Sequence, residues 1–82
     1  MSKIDRIVDS MRRNPRDVVF ADLVYVCNAY FGEPRHNGSS HRVYRMPWNG
    51  DPRVNIQNDH GKAKPYQVRQ VLKAIDRITE VM

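Results

Sequence analysis

The sequence predicts an α+β domain in which helices cover one face of a small antiparallel sheet. Three observations carry that prediction. Residues recur at helical spacing in two early segments and one late one: Ile4-Ile7-Val8-Met11, Phe20-Leu23-Val24-Cys27, and Val68-Val71-Leu72-Ile75 with Thr79 closing the stripe. Between them, Val54 and Ile56 alternate with Arg53, Asn55 and Gln57, the period-two pattern of a half-buried strand. Asn49-Gly50 separates that strand from the extended run before it, and both residues tolerate the positive φ that tight hairpins need. Helices outside and strands inside imply a two-layer domain.

The elements follow in order. Ser2 is placed to cap the first helix, with Asp5 three residues on completing a capping-box-like pair. Asn14-Pro15 ends that helix and is expected to start the next, with Asn14 as N-cap, Pro15 at the first helical position and Asp17 in the first turn. Gly32 closes it. A brief edge strand is expected over Glu33 to His36, where Pro34 rules out a central place. Better strands run over Ser40 to Met46 and Arg53 to Asn58. His60 to Lys64 reads as a basic loop, and Pro65 opens the final helix. In that helix Arg69, Lys73 and Arg77 stand four apart, a like-charge row that is mildly unfavourable by itself.

Composition narrows the class. A chain of 82 residues has room for one core, so residues 1–82 are expected to form a single domain. The lone Cys27 excludes an internal disulfide framework, suits a reducing cytosol, and falls on an apolar helical face, where it reads as core rather than nucleophile. No apolar run exceeds Leu23 to Cys27, so neither a membrane span nor a signal peptide is expected, and the chain reads as soluble and cytoplasmic. Of the net charge of +5, the stretch Arg35–Lys64 supplies +4, with six basic residues against Asp51 and Asp59. A local basic excess is the footprint of a polyanion binder. His36, His41 and His60 lie in the same stretch.

That stretch contains NGSSHRVYR, in which glycine and two serines lead into a strand bearing His41. The side of the sheet away from the helices is open to a partner, and Arg53, Asn55 and Gln57 are expected there. For the preceding strand, alternation groups His41, Val43 and Arg45 against Arg42, Tyr44 and Met46, and periodicity leaves open which group is buried. His41 has two readings: a solvated hairpin residue, or a proton-transfer group, since a histidine ordinarily titrates near a pKa of about 6.5. RNA offers the matching reaction, because its 2′-hydroxyl attacks the adjacent phosphodiester once a base removes the proton. Lys or Arg nearby stabilises charge developing on phosphate, and that route needs no metal. A metal site built from Cys27, His36, His41 and His60 matches no paired zinc spacing, and no carboxylate cluster suits magnesium.

Taken together, GSSHRVYRMPWNGDPRVNIQNDHGKAKPYQVRQVLKAI resembles the HicA family of toxin ribonucleases, the mRNA interferases of bacterial toxin–antitoxin modules. The resemblance runs through Gly38 to His41, Tyr44 to Pro47, Val54 to Ile56, His60 to Lys62 and Val68 to Ile75, and covers about Phe20 to Ile78. An extra serine between Gly38 and His41 departs from the pattern. The family implies a double-stranded-RNA-binding-domain-like fold with a two- or three-stranded antiparallel sheet, here a core over 15–82; the N-terminal helix within 1–14 is extra to the family pattern and is a second departure from it. It implies that His41 cleaves mRNA without a cofactor, and that a HicB-type antitoxin covers the active surface. Lys62, Lys64, Arg42 and Ser40 are the expected RNA-binding residues. Trp48 reads either as a base-stacking ring or as a ring tucked onto the sheet. The first helix has two possible roles, covering this domain's own core or meeting a second protein. Two other functions compete with the ribonuclease: a non-catalytic RNA-binding module of the same fold, and a domain acting through protein contacts alone.

Overall fold

A computed structural model describes residues 2–34, 36–37, 41–46 and 53–81, with backbone alone at 36, 37, 80 and 81. In chain order the elements are α1 (Lys3–Arg13), α2 (Phe20–Phe31), β1 (His36–Asn37), β2 (His41–Arg45), β3 (Arg53–Asp59), β4 (Lys62–Ala63) and α3 (Pro65–Val81). The strands form one antiparallel meander in the order β1-β2-β3-β4, with β2 and β3 as its body and a two-residue strand at each edge. The α+β class is therefore the observed one, with an edge strand more than expected. The edge strand foreseen over Glu33 to His36 is instead His36–Asn37, and β3 runs one residue further, to Asp59. The Asn49-Gly50 turn, Pro47 and Trp48 lie outside the described residues; the strands flanking that turn do pair antiparallel, Arg45 opposite Arg53.

Tyr44, Met46, Val54, Ile56 and Ala63 from the sheet meet Phe20, Leu23, Val26 and Cys27 of α2 and Val68, Val71, Ala74 and Ile75 of α3 in one core. Fully burying such an aliphatic side chain contributes about 1.5–3 kcal/mol. The stripe on α3 is shifted from the expected one. Ala74 and the polar Gln67 join it, while Thr79 is exposed and turns its hydroxyl back on the Ile75 and Asp76 carbonyls, both at 3.0 Å.

The first helix starts as its sequence implies, with the Asp5 N–H donating to Ser2 Oγ at 3.1 Å. It packs on α2 and α3. Val8 and Met11 are buried and Ile4 and Ile7 lie against the same cluster, so the stripe covers this chain's own core. Arg12 reaches across to α3 and grips Asp76 with two nitrogens, at 2.6 and 3.3 Å. Lys3 sits 4.8 Å from the centre of the Tyr25 ring on α2, a cation–π contact.

The second helix corrects the sequence reading. It begins at Phe20, not at Pro15, and Val19 rather than Asn14 occupies the cap position. Asn14 instead ends α1, its N–H on the Ser10 carbonyl at 2.9 Å. The reason lies in backbone hydrogen bonding. The Val18 carbonyl accepts from Ala63 N–H at 2.8 Å, Val19 bridges Lys62, and Phe20 N–H donates to the Gly61 carbonyl at 2.9 Å. These groups are held by the β3–β4 hairpin and stay extended, as suits two β-branched residues.

Two predictions follow from the α1 contacts. Met11 is 1% exposed, so Met11→Ala is expected to cost about 2–5 kcal/mol in denaturant unfolding. The Arg12 hydrogen bond and charge hold the Asp76 carboxyl below its ordinary 3.8. A carboxylate depressed in the folded state stabilises the fold above its unfolded pKa, and that contribution fades as pH falls through the folded value. The pair is half exposed and screened, worth about 0–1 kcal/mol. Melting curves against pH should show wild type above Asp76→Asn at neutral pH, with the gap narrowing below 3.8.

Candidate functional site

Tyr44 decides how β2 is presented. It is wholly buried, its hydroxyl donates to Asn28 Oδ1 of α2 at 2.6 Å, and its ring lies tilted 5.9 Å from that of Phe31. Burial is the main reason its hydroxyl pKa is pushed up to about 12, so it acts as a neutral donor. With Tyr44 and Met46 turned to the helices, alternation sends His41, Val43 and Arg45 to the opposite face. Arg42 goes with Tyr44 to the helix side and is half-buried there. Arg42, one of the expected RNA-binding residues, therefore stands on the opposite face of the sheet from His41.

The register completes the open face. His41 lies opposite Gln57, Val43 opposite Asn55, and Arg45 opposite Arg53. Arg53, Asn55 and Gln57 are exposed, as their alternation implies, and His41 is half-exposed at the start of its strand. The result is a polar, cationic strip with a histidine at one end.

The expected basic loop over His60 to Lys64 is instead a tight hairpin, a further strand and a helix start. His60 (φ 54°) and Gly61 (φ 86°) both take positive φ, the requirement of a two-residue type I′ turn closed by Asp59 and Lys62. The Gly61 N–H is held by Asn58 Oδ1 at 2.7 Å, and the outward-pointing His60 meets Asp59 at 2.9 Å. Lys62 is engaged by Asp17, Nζ to Oδ1 at 2.6 Å, and this bond holds the Asp17 carboxyl below its ordinary value. Lys64 is half-buried, and its carbonyl caps α3 by accepting from Gln67 and Val68 N–H, both at 3.0 Å. Ser40 lies outside the described residues.

Capping α3 removes the partner that β3 would otherwise find. Alternation from the Asp59–Lys62 pair directs the Gln57 N–H away from β2, toward the line along which β4 would continue. The Lys64 carbonyl is spent on the helix, and Gln67 Oε1 takes its place at 2.8 Å. Sequence reading missed Gln67, Asp17 and Asn28. For Gln67 the available signal was an amide standing beside Val68 within the apolar stripe of the last helix; for the other two there was none.

Burial pushes the Cys27 thiol up to about 12, which leaves it an inert core residue. Among the described residues no three His, Cys, Asp or Glu side chains gather as metal ligands, and no helix is long and apolar enough to cross a membrane. No family model, curated protein or solved structure matches the chain.

Gln67→Met keeps volume and helix propensity but removes the acceptor. Leaving the Gln57 N–H without a partner is expected to cost about 1–3 kcal/mol. Amide hydrogen exchange should show Gln57 losing protection ahead of Ile56; unchanged exchange at Gln57 would contradict the role given to Gln67.

Proposed function

We propose that this chain is a toxin endoribonuclease of the HicA type, with a double-stranded-RNA-binding-domain-like fold, that cleaves mRNA through His41 and is neutralised by a HicB-type antitoxin. One observation carries the reading beyond the motif resemblance. His41 stands on the helix-free face, at the end of a strip formed with Arg45, Arg53, Asn55 and Gln57. An RNA strand laid along such a strip presents its phosphates to arginines and its sugar edges to amides.

The chemistry asks one proton transfer of the histidine at a time. As base, His41 takes the 2′-hydroxyl proton, the O2′–P bond forms, and the P–O5′ bond breaks. The leaving 5′-oxygen takes its proton from solvent water; with the roles reversed, protonated His41 gives its proton to O5′ and water accepts the 2′-hydroxyl proton. Arg45 and Arg53, four strand steps from His41, hold phosphates further along the RNA rather than the one being cleaved. Lys62 joins only by exchanging the Asp17 carboxylate for phosphate, and Lys64 contributes from the half-buried start of α3. Arg42 acts from the helix side, if at all, and so is a weaker candidate than the sequence implied.

His41→Ala should fold and bind RNA as wild type does, while its cleavage rate falls by about 10²–10⁴-fold. Wild-type cleavage should persist in EDTA, yield 2′,3′-cyclic phosphate ends, and fail on RNA carrying 2′-O-methyl at the cut site. A folded His41→Ala protein that cleaves undiminished removes the histidine mechanism. RNA binding without cleavage by pure wild type favours a non-catalytic binding module instead.

A further inference from the structure

The reaction described above leaves His60 unused, yet the β3–β4 hairpin brings it to the end of the sheet where His41 stands. Asp59 lies two residues beyond Gln57 on β3, so alternation returns it to the helix-free face. Gln57 is the cross-strand partner of His41. Asp59 is therefore the diagonal neighbour of His41 on that face, with Cβ atoms about 7 Å apart. The Asp59 carboxylate in turn holds the His60 ring, Nδ1 to Oδ1 at 2.9 Å. Two histidines and one carboxylate thus share a single corner of the sheet.

The Asp59–His60 pair leaves one ring nitrogen for a substrate. An ionised carboxylate only accepts, so the hydrogen of this bond sits on His60 Nδ1. Nε2 lies across the ring, and with the side chain 98% exposed it is open to solvent. Local folding does not ask for histidine here. His60 takes a φ of 54° at the first central position of a type I′ turn, where Asn, Asp and Gly are favoured. The turn already has its own tie, from Gly61 N–H to Asn58 Oδ1 at 2.7 Å.

Cleavage by the 2′-hydroxyl needs one proton removed and one supplied, on opposite sides of the phosphorus. A single histidine does one of these in each turnover and leaves the other to water. A base and an acid that each reach an oxygen at about 2.6–3.2 Å need a phosphate's width between their rings, not contact. The spacing of His41 from Asp59, with His60 carried on the carboxylate, provides such a gap.

We propose that His60 is the general acid of the same reaction and that Asp59 positions it. The assignment deepens the ribonuclease reading and rests on it. His41 takes the 2′-hydroxyl proton, the O2′–P bond forms and the P–O5′ bond breaks. The leaving O5′ takes the proton from Nε2 of the His60 imidazolium, in place of water. The products are a 2′,3′-cyclic phosphate and a 5′-hydroxyl, and proton exchange with solvent resets both rings.

The test compares the full chain on ordinary RNA and on RNA whose 5′-bridging oxygen, at the cut site mapped with wild type, is replaced by sulfur. A thiolate leaves without being protonated, so the second substrate needs no acid. His60→Asn puts Asn-Gly in the turn, which preserves the hairpin, and melting temperature verifies the fold. It should cut ordinary RNA about 10²–10⁴-fold more slowly than wild type, bind it nearly as well, and cut the sulfur substrate close to the wild-type rate. Asp59→Ala should lose less and be restored by sulfur in the same way, whereas His41→Ala should stay slow on both. His60→Asn that cuts ordinary RNA undiminished would overturn the proposal and leave the His41 ribonuclease standing. A loss that sulfur does not repair would reduce His60 to a binding or structural residue. Repair of His41→Ala instead would exchange the two roles and overturn this assignment. Wild type that cuts neither RNA would remove the ribonuclease reading itself, and the acid with it.

Discussion

The burial of Tyr44 is the constraint on which the rest of the sheet depends. A phenol taken out of water needs an apolar bed for its ring and a partner for its hydroxyl, and α2 supplies both through Phe31 and Asn28. Once that side chain is committed, the pleat leaves no choice for its neighbours. His41, Val43 and Arg45 must face away from the helices, and antiparallel register then sets Gln57, Asn55 and Arg53 beside them. The candidate site is thus a consequence of a core interaction made on the other side of the same strand.

A second constraint acts through the backbone. The His60-Gly61 turn brings Lys62 and Ala63 against Val18 to Phe20, so the hairpin and the start of α2 satisfy each other's hydrogen bonds. Where β4 gives way to α3, the Lys64 carbonyl leaves the ladder for the helix cap and the Gln67 side chain replaces it. These exchanges let a helix follow a strand with no loop between them. They also join β3, which carries half of the open face, to α3 through the Gln67 side chain.

Two sets of cations can be told apart by where they lie. Arg12 and Lys62 are tied to carboxylates on other elements and hold α1 to α3 and the α1–α2 link to β4. Arg45, Arg53, Lys73 and Arg77 gather around one corner of the sheet, with like charges facing each other across the strands and along the helix. The two carboxylate pairs tie the fold at its seams. The overall +5 conceals this division.

The sequence by itself determined the elements and their chemistry. Periodicity marked three helices, the alternation in β3 and the Ser2 cap, and charge counting placed the basic excess in the middle of the chain. All of these are local properties, read from residues a few positions apart. Tertiary structure alone decided the facing of β2, because both of its alternating sets contain polar and apolar residues and only packing of Tyr44 on α2 separates them. It likewise decided that α2 starts at Phe20, overriding the Asn14-Pro15 signal, because the extended Val18-Val19 backbone pairs with a hairpin more than forty residues downstream. The pairing of Lys62 with Asp17 and the bond from Gln67 to β3 were invisible for the same reason: each joins groups whose proximity exists only after the chain has folded.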